Sequence, residues 1–264
     1  MRPCHVLRVF TRGDEGGNHL GVVTDVTGLD DATMQSIAAE LGFSETIYID
    51  WRNGRVPNTR IFTPVAELPF AGHPLVGAAW TLSRLGPGTV DRVRCGVGEI
   101  PFRVDGDVAW VDAPLVSDVE TTDASGVAAA VGLPAPVRSW WAKMPVPYLV
   151  IDLGSAEAVA TAAPAISGLH DAGAGMTYLM ARRGGRVKAR FFAPLVGVPE
   201  DPATGSAAAA LAAVLSFEGE LSGELAIDQG DEIGTPSTID LKWDSAVVSL
   251  GGSVRKDETR TLDA

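Results

Sequence analysis

Glu45, His73 and Asp201 are titratable residues at marked places in the stretches Gly42-Phe43-Ser44-Glu45-Thr46-Ile47, Ala71-Gly72-His73-Pro74 and Glu200-Asp201-Pro202-Ala203-Thr204-Gly205-Ser206. Two carboxylates and an imidazole facing one pocket can take a proton from one atom of a substrate and return it to another. Each residue also has a plain structural reading. Glu45 can be a solvated charge at a strand end, and His73 a helix cap or a satisfied core histidine. Asp201 can be a turn former and cap, and Ser206 a small packing residue in an alanine run. The residues taken singly leave both readings open.

The elements that must position them are written twice. Residues 59–69, TRIFTPVAELP, and 189–199, ARFFAPLVGVP, share the pattern R-x-F-x-P-x4-P, with Arg60 and Arg190 standing 130 residues apart. Each copy runs through a Gly-containing turn into an Ala-rich helical stretch, the second apolar on all sides and so buried. Upstream, GNHLGVVTD (17–25) and VPYLVIDLG (146–154) read as matching strands. Asp30 or Asp31 caps a first helix with apolar positions Met34, Ile37, Ala38 and Leu41, and Gly42 stops it. Ser155 caps a second helix over about 156–163, ahead of Pro164. Hairpins follow at Asp105-Gly106 and Asp244-Ser245.

A strand-rich layer wrapped on one central helix satisfies this pattern in each half. The expected fold is α+β with two pseudo-symmetric lobes, each a β-sheet or barrel around a central helix. Residues 1–116 form an N-terminal lobe with Glu45 and His73, residues 117–264 a C-terminal lobe with Asp201 and Ser206, and the active-site cleft lies between them. The copies differ where chemistry is expected: aligned on Thr46 and Thr177, the first has Glu45 and the second Met176. The turns before the two long helices present free N–H groups, a setting for a substrate carboxylate.

Composition narrows the class. With 264 residues, 46% hydrophobic, the chain can bury a large core, and a net charge of −12 disfavours nucleic acid or an anionic membrane as partner. Two cysteines, Cys4 and Cys95, and a start without a signal-peptide core point to a cytoplasmic protein. The four histidines lack metal-ligand spacing, and no nucleotide-binding glycine loop or G-x-S-x-G elbow occurs. No metal or cofactor is expected.

GFSETIYI, RIFTPVAELPFAGHPLVGAAW and VPEDPATGSAAAALAAVL resemble the phenazine-biosynthesis F-type (PhzF-like) isomerase family, and DQGDEIGTPS is similar to its late Q-G…G-R-P-S segment. The resemblance spans nearly the whole chain and implies the diaminopimelate epimerase-like fold. It implies Glu45 as the acid/base that moves a proton between substrate carbons, with His73 and Asp201 orienting substrate and assisting. Ser44, Gly72, Gly205 and Ser206 are implied substrate-binding positions. The implied function is cofactor-independent isomerisation of a small carboxylic or amino acid in a secondary-metabolite or antibiotic pathway, by a homodimer. A proline-derived substrate, amino-acid epimerisation and a non-catalytic binding role are the alternatives. Epimerase relatives use paired cysteines, and neither Cys4 nor Cys95 lies in the matching turns. The chain departs from the family pattern at Arg8, His19, Ile47-Tyr48 and Thr235.

Overall fold

The computed structural model describes the chain except residues 53, 54, 87, 88, 117, 145 and 264. In order, the first part holds β1 (Arg2–Thr11), β2 (Asn18–Val23), α1 (Asp31–Leu41), β3 (Glu45–Asp50), β4 (Asn58–Phe62), β5 (Glu67–Leu68), α2 (Gly72–Leu85), β6 (Arg92–Cys95), β7 (Gly98–Asp105) and β8 (Val108–Pro114). There follow β9 (Val119–Thr121), α3 (Ser125–Val131), β10 (Arg138–Ala142), β11 (Tyr148–Asp152), α4 (Ala156–Thr161), α5 (Ile166–Asp171), β12 (Thr177–Arg183) and β13 (Arg186–Ala193). The chain closes with β14 (Val198–Asp201), α6 (Gly205–Phe217), β15 (Gly223–Gln229), β16 (Ser237–Trp243) and β17 (Val247–Leu262).

Two compact units result, Met1–Ala113 with Leu250–Ala264, and Pro114–Ser249. Residues 250–264, expected in the second lobe, therefore belong to the first. The reason is an edge. Strand β1 pairs antiparallel with β17 from Arg2↔Leu262 to Thr11↔Ser253, and β17 also meets β8, with Val254 N donating to Asp107 O at 2.8 Å. Without β17, two strands of the first unit would keep open edges.

In the first unit the pairing runs β1/β2 antiparallel, β2/β3 parallel, β3/β4 antiparallel, β4/β6 parallel, then β6/β7 and β7/β8 antiparallel. Helix α2 packs inside against β1, β2, β3, β6 and β7, and Leu75, Val76, Ala78, Ala79 and Leu82 are at most 1% exposed. Outside, α1 lays Met34, Ile37 and Ala38 on Cys4, Val23, Tyr48 and Phe62. Its ends are those the sequence marks: Asp30 accepts from Thr33 N at 2.8 Å, and Gly42 closes it at φ 67°.

The second unit repeats the scheme: β10/β11 antiparallel, β11/β12 parallel, β12/β13 antiparallel, β13/β15 parallel, β15/β16 antiparallel. Helix α6 packs on β9, β10, β11 and β16, buried from Ala207 to Leu215. Helices α3 and α5, which no motif marked, join α4 in an outer layer on Leu149, Ile151, Leu179 and Phe192. The upstream alignment shifts by one residue: Gly21 is level with Thr46 and Leu149 with Thr177, so Leu20 corresponds to Tyr148.

The shared R-x-F acquires a physical basis. Each arginine lies over the phenylalanine two residues on, Arg60 at 5.1 Å from the Phe62 centroid and Arg190 at 5.0 Å from that of Phe192. Each also grips a glutamate near the following turn with two nitrogens: Arg60 to Glu67 at 2.7 and 2.6 Å, and Arg190 to Glu200 at 2.8 and 2.8 Å. The motif thus ties each β4-type strand to the turn that leads into the central helix.

Candidate active site

In the first unit, Gly42 turns the chain out of α1 into Phe43, Ser44 and Glu45, the first residue of β3. His73 is the second residue of α2, whose cap residue Ala71 makes no side-chain capping bond. These elements bring His73 Nδ1 to 3.0 Å from Glu45 Oε2, with side-chain exposures of 3% and 17%. Oε2 is buried and has no hydrogen-bond partner among the described residues. The other ring nitrogen, Nε2, lies 3.3 Å from the carbonyl of His19. A carbonyl can only accept, so this contact places a proton on Nε2. The ring thereby presents Nδ1 to the Glu45 carboxylate.

His19 does not face this pair. Leu20 is level with Glu45 in the parallel register, and His19, one residue earlier, points to the opposite face. There its ring stacks on Phe43 at 5.6 Å and lies 3.7 Å from Asp257, which also binds Arg8 at 2.9 Å. Burial lowers the His19 pKa from its ordinary value; Asp257 opposes the fall and Arg8, Arg260 and His73 deepen it. The other departures are structural too. Ile47 is fully buried, Tyr48 donates to Met34 O at 2.7 Å, and Thr235 N donates to Gly230 O at 2.9 Å in the late turn.

In the second unit, Asp201 ends β14 and is 7% exposed. Its Oδ2 accepts from Thr204 Oγ1 at 2.5 Å, and its carbonyl accepts from Gln229 Nε2 at 2.7 Å. Gln229 also donates to Thr204 Oγ1 at 3.0 Å and accepts from Thr204 N at 3.4 Å. The cap of α6 is Thr204, not Asp201, and it too makes no side-chain capping bond. Gly205 opens the helix, and Ser206 Oγ lies 2.8 Å from Tyr148 OH. Sequence reasoning missed Thr204, Gln229 and Tyr148. The quoted late segment pointed at Gln229, while Tyr148 sat in a stretch read only as an apolar strand.

Gly230 holds the turn beside Gln229 with φ 83°, and a Cβ there would lie 2.3 Å from Thr235 O and 2.7 Å from Pro202 O. Both obstacles are backbone, so Gly230→Ala is expected to cost on the order of 2–3 kcal/mol of unfolding free energy. Chemical denaturation of the variant checks this, and an unchanged midpoint would show that the turn relaxes freely.

Neither cysteine belongs to these groups. Cys4 is fully buried in β1, and burial pushes its thiol up to about 11; Cys95 is also raised by burial. Thiolate is the reactive form, so the native protein at pH 8 is expected to resist iodoacetamide, with alkylation appearing only on unfolding. Mass spectrometry of the treated protein reads this out.

The two units thus repeat one β-wrapped helix. A carboxylate and an imidazole meet at the start of one helix, and a carboxylate, a hydroxyl and an amide at the start of the other. The fold is α+β and diaminopimelate epimerase-like. Residues 7–259 match the family model described as phenazine biosynthesis-like protein. An uncharacterised isomerase of Mesorhizobium japonicum is 37% identical over 89% of this chain and 88% of its own length. Trans-2,3-dihydro-3-hydroxyanthranilate isomerase of Pseudomonas fluorescens is 35% identical over 93% of this chain and 91% of its own length. The structure of a PhzF-family protein of Enterococcus faecalis superposes with a TM-score of 0.85 at 22% identity, covering 99% of both chains. The chain belongs to the phenazine biosynthesis-like, or PhzF-like, family, and like the relatives it matches it is an isomerase.

Proposed function

We propose that this protein shifts a proton, and with it a double bond, within a small ring-bearing carboxylic or amino acid, with Glu45 as the acid/base. The observation that carries the reading is the buried Glu45 Oε2 beside His73 Nδ1 at 3.0 Å. Such a pair can remove a proton from carbon, hold it, and deliver it to a second carbon of the same molecule. The electron pair left by the C–H bond moves into the conjugated system and reappears as the C–H bond formed at the second carbon, so the reaction needs no redox partner.

On this reading Ser44, Gly72 and His73 assist Glu45, and Asp201, Gly205 and Ser206 bind or orient the substrate. The N–H groups of Gly205 and Ser206 hold the substrate carboxylate and stabilise charge that spreads into it during proton removal. Asp201 is held by Thr204 and Gln229 and orients the substrate's polar substituents. The Pseudomonas fluorescens relative acts on trans-2,3-dihydro-3-hydroxyanthranilate, and a substrate of that class in a biosynthetic pathway is part of the proposal. Met176 at the position corresponding to Glu45, and two buried cysteines, give no support to a two-base racemisation.

The test is incubation with trans-2,3-dihydro-3-hydroxyanthranilate in deuterated water. Isomerisation, with any deuterium that exchanges onto the carrier confined to a single ring carbon, supports the proposal; no product would remove that substrate class.

A further inference from the structure

The repeat supplies a control for a second polar side chain. Tyr148 and Leu20 occupy corresponding places, because Leu149 is level with Thr177 and Gly21 with Thr46. Leu20 is fully buried in the first unit, so this position in the scaffold does not need a hydroxyl. In the second unit the Tyr148 ring stacks on Phe191, centroids 5.5 Å apart and planes at 25°. That contact places the ring whether or not it carries an oxygen. The phenol oxygen nonetheless meets Ser206 Oγ at 2.8 Å. A neighbouring phenol behaves differently: Tyr178 also packs on Phe191, yet its buried hydroxyl has no partner among the described residues.

A serine hydroxyl has one proton and two lone pairs. When the Tyr148 O–H donates to Ser206 Oγ, the serine proton is left for another acceptor. Among the described residues Ser206 Oγ has no other hydrogen-bond partner. The cap of α6 makes no side-chain capping bond, so nothing on the Thr204 side chain competes for the first-turn N–H groups beside Ser206.

We propose that Tyr148 is a positioning residue for the substrate carboxylate: it donates to Ser206 Oγ and thereby commits the Ser206 proton to an anionic oxygen at the start of α6. The inference rests on the carboxylate-binding role proposed above for Gly205 and Ser206. It adds a residue that does not itself touch the ligand, and a direction for each proton in the chain phenol to serine to carboxylate. Donation in series polarises the serine O–H, so the phenol strengthens the bond that the serine makes to an anion.

The experiment measures calorimetric binding of anthranilate, which has the ring carboxylate but no proton to shift, so turnover plays no part. Ser206→Ala is expected to weaken binding about tenfold or more, as for loss of a hydrogen bond to a charged group. Tyr148→Phe, which keeps the ring on Phe191, is expected to weaken it about three- to tenfold. The double variant should bind no more weakly than Ser206→Ala alone, because the phenol acts only through the serine. Anthranilamide, the uncharged analogue, should lose much less affinity on Tyr148→Phe. Tyr148→Leu, the residue of the first unit, should reproduce the Phe result if it folds, as judged by thermal unfolding. Additive losses in the double variant, or equal losses for acid and amide, overturn the inference while leaving the carboxylate site in place. Failure of the wild-type protein to bind anthranilate removes the site and the inference together.

Discussion

Glu45→Gln is expected to lower turnover by about three orders of magnitude, within the range for loss of a positioned acid/base. Folding and ligand affinity should be retained. Glutamine keeps the length and both polar atoms of the side chain but cannot take up or release a proton. The structure gives a reason why the fold should survive. His73 Nε2 faces the His19 carbonyl, which leaves Nδ1 as an acceptor in the neutral ring. A glutamine amide can donate to that nitrogen. The variant should therefore melt at or slightly above the wild-type temperature while it neither forms product nor incorporates solvent deuterium. Activity within tenfold of wild type would place the base elsewhere. The Glu45→Asp variant separates position from chemistry, because it keeps the acid but withdraws it by a methylene from His73.

The second large effect concerns stability, and the repeat sharpens it. Arg190→Leu is expected to cost about 3–5 kcal/mol, as for removing one partner of a buried ion pair. The exposures of Arg190 and Glu200 are 10% and 13%, so the glutamate would be left charged and nearly dry. The same guanidinium reaches the carbonyls of Val159, Ala160 and Ala162 at 3.4, 3.4 and 2.5 Å. These are acceptors at the C-terminal end of α4, where a cation is favoured. Arg60→Leu removes the corresponding arginine of the first unit, but its pair with Glu67 is 34% and 42% exposed. Solvent screens that pair, and the expected cost is about 1 kcal/mol or less. Urea unfolding of both variants followed by fluorescence makes the comparison. Equal losses would mean that burial is not what distinguishes the two copies.

Much of the framework was legible because it rests on short-range chemistry. Asp30, Gly42 and Ser155 delimit their helices through bonds that span a few residues. The Asp105-Gly106 and Asp244-Ser245 hairpins likewise form over local turns, with Asp105 level with Val108 and Asp244 N donating to Val247 O at 3.0 Å. The repeat, visible in R-x-F-x-P-x4-P, carried the topology further than periodicity alone. One alternation of parallel and antiparallel pairs serves both units.

Other features depended on partners distant in the chain. The return of β17 to β1 joins Leu262 to Arg2, and no local signal says which edge a last strand will close. Gln229 reads as a polar strand end until its amide is seen on Asp201 and Thr204. Tyr148 reads as one more apolar strand residue until its oxygen meets Ser206. His19 looked like an intruder near the chemistry, and strand alternation turns its ring away while only its carbonyl serves His73.

By itself the sequence determined which residue types were available for chemistry, the double writing of the framework, and the asymmetry of Glu45 against Met176, since these are properties of order along the chain. Tertiary structure decided which of those groups meet. A hydrogen bond or a proton-sharing contact depends on separations of about 3 Å, and residues 28 positions apart, such as Glu45 and His73, reach that distance only when a parallel strand and the start of a buried helix are packed side by side.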